Sequence, residues 1–210
     1  TRIAFDVAGR EIARRGARDN LVRYPSDDFG RIVFHEGPDT GRVRYEHDAA
    51  GNRTREVHAD GSTVTGTWDA ADRPLERRDA NGITRWHWDG TSGTLVSITD
   101  PVSIERFGHD AQARLVRHER ELGGRRFVTK YVYDAHDRVI GKTLPGGERL
   151  RYRYHETGPD RGSLQAITRS RGFGLLQEAV VDEIDADARD GDSGHVSAGG
   201  VRTERTFAPN

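Results

Sequence analysis

At 210 residues and 23.4 kDa the chain is long enough for one domain or two small ones. It contains no Cys, which excludes disulfides, CxxC zinc sites and a cysteine nucleophile. With 33 Lys+Arg against 34 Asp+Glu it lacks the basic excess of a nucleic-acid binder, and no apolar run approaches the ~18 residues a membrane span needs.

Met is also absent, even at position 1, so the chain is expected to be a piece of a longer protein; no N-terminal signal sequence is present. Leu, Ile, Val and Phe together make up 42 of 210 residues. So small an apolar fraction borders on that of disordered chains, whereas the near-zero net charge argues for folding. A thin, repetitive sheet with little core per residue satisfies both.

Internal repetition is the strongest signal. Asp6, Asp27, Asp48, Asp69, Asp89, Asp110 and Asp134 follow one another at steps of 21, 21, 21, 20, 21 and 24 residues, and His155 falls where the next mark is due. Before each mark stand aromatic or apolar residues at strand spacing: Phe5, Tyr24, Tyr45, Trp68, Trp86/Trp88, Phe107, Tyr131/Tyr133 and Tyr152/Tyr154. A spacing of two puts such a pair on one face of a strand. After the mark come two residues, mostly small or polar, then Gly, Asp or Ala, then usually an arginine: Arg10, Arg31, Arg73, Arg114 or Arg138. Gly and Asp suit the left-handed backbone of a tight turn. A second strand follows, as in Ile32–Phe34, Leu95–Ile98, Leu115–Val116 and Val139–Ile140. It ends at a hairpin signal: Asp60-Gly61, Asn81-Gly82, Gly123-Gly124 or Gly146-Gly147. Each repeat is thus expected to be one β-hairpin of about 21 residues, seven to eight of them filling residues 1–172.

The pattern Y-x-Y-D-x-x-G-R-L, carried best by Tyr131–Val139, resembles the YD repeat of RHS proteins. That family includes bacterial RHS polymorphic toxins, the B and C components of insecticidal toxin complexes, and teneurins. The resemblance covers roughly residues 1–165, with departures at Pro25, at Gly93 (one residue late and without its arginine) and at His155. It implies an all-β fold: a spiralling antiparallel sheet that forms part of a hollow shell around a polypeptide, often the toxic C-terminal region of the same protein. The family's self-cleaving segment carries a D-P-x-G-type signature. Here Asp100-Pro101 is followed by Val-Ser, and no toxin module follows.

These residues point to structure more than to chemistry. The aspartates and arginines, one pair per hairpin, are expected to brace their turns by charge-assisted hydrogen bonds. The aromatics are expected to stack as a buried ladder between repeats. No catalytic or metal-binding residue is assigned. His47 and His109 occupy the same repeat position, but three repeats apart and far beyond the reach of one ion at ~4.8 Å per strand. The acidic run Asp182–Asp192 fails as a calcium loop, since placing Gly191 at the sixth position puts Ala186 and Ala188 where carboxylates are needed. No GxSxG, HExxH or phosphate-cradling loop is present.

Residues 173–210 are expected to be irregular. Leu175–Ile184 has apolar residues at both helix and strand spacing, Asp185–Gly200 reads as an acidic Gly/Ser-rich loop, and Val201–Phe207 as one terminal strand. The functional expectation is a wall segment of an RHS-type shell, not an enzyme and without a cofactor. The resemblance implies as partners the remainder of the parent shell, its enclosed toxin domain and a secretion-system component, and a secreted or cell-surface location. The alternative is an extracellular recognition module binding glycan or a partner protein.

Overall fold

The computed structural model describes residues 1–16, 19–159, 161–170, 177–181, 194–198 and 201–205. Strands follow one another as β1 (Arg2–Phe5), β2 (Glu11–Arg15), β3 (Leu21–Arg23), β4 (Phe34–Gly37), β5 (Gly41–His47), β6 (Arg53–Val57), β7 (Thr63–Trp68), β8 (Pro74–Asp79), β9 (Gly82–Trp88) and β10 (Leu95–Thr99). Then come β11 (Ser103–His109), β12 (Leu115–Leu122), β13 (Arg125–Tyr133), β14 (Val139–Thr143), β15 (Arg149–Tyr154), β16 (Leu164–Ser170), β17 (Gln177–Val181), β18 (Gly194–Ala198) and β19 (Val201–Arg205). No helix occurs among the described residues.

The chain divides into two units, Thr1–Ile104 and Glu105–Asn210. Within the first, β1 to β10 pair antiparallel with their sequence neighbours. Within the second, β12 to β17 do the same, and β18 pairs with β19. Period-2 alternation explains the choice of strand. In β15, Arg149, Arg151 and Arg153 are exposed while Leu150, Tyr152 and Tyr154 are half-buried.

Six of the repeat turns share one geometry, and the turn at Asp89 is one residue longer. The N–H of Asp6 donates to the carbonyl of Arg10 at 2.8 Å, and the Gly9 N–H donates back to the Asp6 carbonyl at 3.0 Å. The residue closing the turn is left-handed: Gly9, Gly30, Gly51 and Gly93, but also Asp72 (φ 58°), Ala113 (φ 61°) and Asp137 (φ 61°). Such a residue forms a bulge, and the pairing slips next to it at Ala4/Phe5, Glu46/His47, Thr67/Trp68 and Val132/Tyr133. At Pro25, which has no N–H to give a ladder, the second copy is reduced to a lone bridge between Ser26 and Ile32. At His155 the loop is longer, closing from the His155 N–H to the Ser163 carbonyl at 3.0 Å.

One open alternative is decided and two expectations are corrected. The segment with mixed helix and strand spacing is a strand where described, at Gln177–Val181. The stretch expected as a loop to Gly200 carries β18 at Gly194–Ala198, paired with the expected terminal strand. The calcium-loop comparison at Asp182–Asp192 lies outside the described residues. Third, the aromatic ladder is not a closed core. Among the described residues only Val43 and Ala166 are buried apolar side chains. The accessible surface is 15108 Å², against about 9,700 Å² from the scaling for folded monomers of this mass. A sheet one layer thick can cover a side chain from neighbouring strands but not from above.

Ala113 stands where other turns use glycine, and its Cβ disfavours the left-handed backbone. Ala113→Gly should therefore stabilise unit Glu105–Asn210 by about 0.5–1 kcal/mol. Urea unfolding would reveal this as a higher midpoint at unchanged slope; a lower midpoint would contradict the turn geometry.

Candidate functional site

Asp134 accepts from the N–H of His136 at 2.8 Å and of Arg138 at 3.0 Å through one carboxylate oxygen, and from Arg138 Nε at 2.7 Å through the other. The same three bonds recur at Asp6/Arg10, Asp27/Arg31, Asp69/Arg73 and Asp110/Arg114. Two turns vary the chemistry. Asp48 accepts from the N–H of Asn52 and its side-chain amide. Asp89 accepts from the N–H groups of Thr91 and Ser92 and from the Ser92 hydroxyl. An aspartate here therefore does in one side chain what several backbone acceptors would otherwise have to do.

Sequence reasoning missed that Arg31, Arg73 and Arg114 also bond the following repeat. Arg31 Nη1 donates to the Asp48 carbonyl at 2.8 Å, Arg73 Nη1 to the Gly93 carbonyl at 3.3 Å, and Arg114 Nη1 to the Asp134 carbonyl at 3.2 Å and the Asp137 carboxylate at 2.8 Å. The guanidinium planes lie over the next repeat's aromatic ring: Arg73 5.2 Å from Trp88, Arg114 4.9 Å from Tyr133, Arg138 4.5 Å from Tyr154. Where Asn52 stands in place of arginine, its amide donates to Asp72 of the following turn at 2.7 Å. The available signal was the arginine's constant position one residue beyond the left-handed one.

The aromatic tips are fixed from the other side. Trp68 Nε1 donates to the Arg53 carbonyl at 3.0 Å and Trp88 Nε1 to that of Pro74 at 2.8 Å. The Tyr133 hydroxyl donates to Leu115, and that of Tyr154 to Val139, both at 2.8 Å. Gly66 is needed beneath Trp68, because a Cβ there would lie 3.1 Å from the Arg53 carbonyl and 3.5 Å from the indole nitrogen. Tyr45 sits under Arg53, Tyr131 under Lys142, and Phe107 stacks on His118 at 4.9 Å. The Tyr24 hydroxyl meets the Glu11 carboxylate. Phe5 is exposed, and Tyr152 is half-buried. Trp68 and Trp86, with Val64 and Pro74, line an open groove of about 550 Å³ in the first unit.

The opposite face is charged. In the first unit Glu36 lies between Arg23 and Arg42, Glu46 faces Arg55, and Glu76 lies between Arg78 and Arg85. In the second, buried Glu119 gathers Arg106 at 3.3 Å, Arg117 at 2.7 Å and Arg126 at 2.5 Å. Hydrogen bonds from Arg126 and then Arg117 hold its carboxyl at about 2. Among the described residues no group of three or more His, Asp or Glu side chains could hold a metal ion.

With that geometry in place, similarity to known proteins can be read. Residues 27–63 match the sequence model of the RHS Repeat family. Over 157 residues the chain is 29% identical to Double-stranded DNA deaminase toxin A of Burkholderia cenocepacia (strain H111), covering 74% of this chain and 11% of that protein. Its fold superposes on the TcdB2-TccC3 crystal structure with a TM-score of 0.66 at 14% identity, over 92% of this chain and 13% of that one. On the Photorhabdus luminescens Tc holotoxin pore the TM-score is 0.71 at 16% identity, over 93% of this chain and 11% of that one. One RHS repeat is thus matched at residues 27–63, and the all-β fold is like that of the toxin-complex structures on which the chain superposes. The chain spans only 11–13% of these proteins' own length.

The turn carboxylates titrate low. For Asp134, partial desolvation alone would raise the pKa. The Arg138 N–H and guanidinium and the His136 N–H outweigh it and bring the carboxyl from 3.8 to about 2. Asp69 and Asp110 are lowered chiefly by the guanidinium of their own arginine, and Asp6 chiefly by the Arg10 N–H. A depressed folded-state pKa means the ionised form favours the fold above the unfolded-state value, and this contribution is lost as pH falls through the folded one. Thermal midpoints should therefore hold above pH 4 and fall steeply between about pH 4 and 2. Circular dichroism melts that stay flat across that interval would contradict the bracket.

Proposed function

We propose that this chain is a non-catalytic wall segment of an RHS-type shell enclosing a polypeptide, namely a toxin region of the longer protein to which it belongs. The observation that carries the reading is the open aromatic face: aromatic rings at nearly every repeat, tied down at their polar tips and left without a second layer. A sheet wetted on both sides has no use for such a face, whereas a wall laid against another polypeptide does. The reading is supported by the RHS Repeat match and by a relative that is a named toxin.

In this reading the aspartates, arginines and aromatics of the repeat are structural: they set the turn, link it to the next and present the face. The array proper occupies residues 1–172, and the segment 173–210 is its margin, contributing β17 alongside β16. The partners are the remainder of the shell, its enclosed toxin domain and a secretion-system component. The location is secreted or cell-surface.

The isolated 210-residue chain then exposes apolar surface that the whole protein covers. It should bind a hydrophobic dye such as ANS and self-associate in sedimentation equilibrium as concentration rises. A dye-silent monomer over a hundredfold concentration range would contradict the wall reading.

A further inference from the structure

On the face opposite the aromatics, several arginines pair with a glutamate on a neighbouring strand, such as Arg42 with Glu36, Arg55 with Glu46 and, in the second unit, Arg126 with Glu119, but at β13–β15 of that unit the pattern changes. There the acids stop. Lys130, Arg149, Arg151 and Arg153 are exposed, and among the described residues none has a carboxylate partner. The register puts them on one face. Lys130 pairs with Thr143, which pairs with Arg149; Gly141 pairs with Arg151. The three arginines are alternate residues of a single strand, which spaces them ~6.6–6.8 Å apart. Small side chains flank the row: Gly141 and Thr143 on β14, and Thr168 and Ser170 opposite Arg151 and Arg149 on β16. Among the described residues, the strand neighbours opposite Arg149 and Arg151 are thus all small.

We propose that this row is a docking site for a second polypeptide in extended form, bearing Asp or Glu at alternate positions. Three observations carry this. The spacing of the cations equals that of alternate side chains on an extended chain. Arginine forks pair with carboxylates two at a time, and elsewhere this face already satisfies its arginines with a glutamate on a neighbouring strand, as at Glu36, Glu46 and Glu76. Finally, the aromatics of these strands, Tyr131, Tyr152 and Tyr154, alternate with Lys130, Arg151 and Arg153. The cationic face therefore lacks the stacking platform a single nucleic-acid strand would use. The site does not depend on the wall reading, and it concerns the other face of the sheet.

The probe is a fluorescein-labelled 12-residue peptide of alternating Glu and Ser, titrated with the full chain and followed by anisotropy. The chain itself contains Glu183-Ile-Asp185-Ala-Asp187, so a Glu183→Gln/Asp185→Asn/Asp187→Asn variant is titrated in parallel, in case its own acids compete. Binding to either form is expected, weakened about tenfold or more by Arg151→Ser/Arg153→Ser and by raising salt from about 50 to 200 mM. Circular dichroism checks that the arginine variant keeps its sheet; should it not, Arg151→Gln alone is expected to weaken binding several-fold. No binding to either form would overturn the proposal. So would equal binding by a blocked peptide with its six glutamates in one run, or tighter binding of labelled dT12.

Discussion

A turn that closes a strand pair every 21 residues leaves N–H groups that no ladder partner can take, and an aspartate at the turn's first position accepts them. Once that carboxylate is ionised and holding two backbone donors, it fixes one edge of an arginine four residues on. The remaining donors of the guanidinium point outward and meet the carbonyl of the following turn, while its flat face covers that repeat's aromatic ring. One charged pair thus shapes a hairpin and links it to its successor. The geometry needs a planar fork with several donors, which lysine does not offer. The chain holds only two lysines against 31 arginines. Where the arginine is missing another donor can do the linking, as Asn52 does; the fifth turn has Thr94 in that place.

A sheet built this way carries its stability in neighbour contacts and not in a core. Trp88, Tyr133 and Tyr154 are each held at the tip by a carbonyl of the preceding strand and overlain by a guanidinium from the preceding turn, so they are half covered before any partner arrives. The opposite face disposes of its charges by pairing arginines with Glu36, Glu46, Glu76 and Glu119. Within each unit two unlike faces result, one aromatic and one ionic, because the repeat places similar residue types on the same face of successive hairpins.

The hairpin fold was legible because its determinants are local. The aspartate marks, the left-handed residue three beyond each (four beyond Asp89), and the Gly-containing return turns all act within a few residues, so a single sequence displays them. Pro25 and His155 were legible as irregularities for the same reason. What escaped reading were relations across repeats: Arg114 reaching Asp134 and Asp137, the gathering of Arg106, Arg117 and Arg126 at Glu119, and the half-exposure of the ring ladder. These depend on which residues the register brings side by side, and bulges next to the turns shift that register in ways a period of two does not reveal. The strand at Gln177–Val181 was ambiguous because its apolar residues satisfy both periods, and pairing with β16 decides between them.

The link between repeats is tested most directly at Arg114. Arg114→Lys keeps the charge but removes the fork that spans two turns. Amide hydrogen exchange should then show lost protection not only at Asp110 and Arg114 but also at Asp134 and Arg138 in the next turn, by about tenfold or more. Faster exchange confined to Asp110–Arg114, with the following turn unchanged, would contradict the claim that these arginines couple one hairpin to the next.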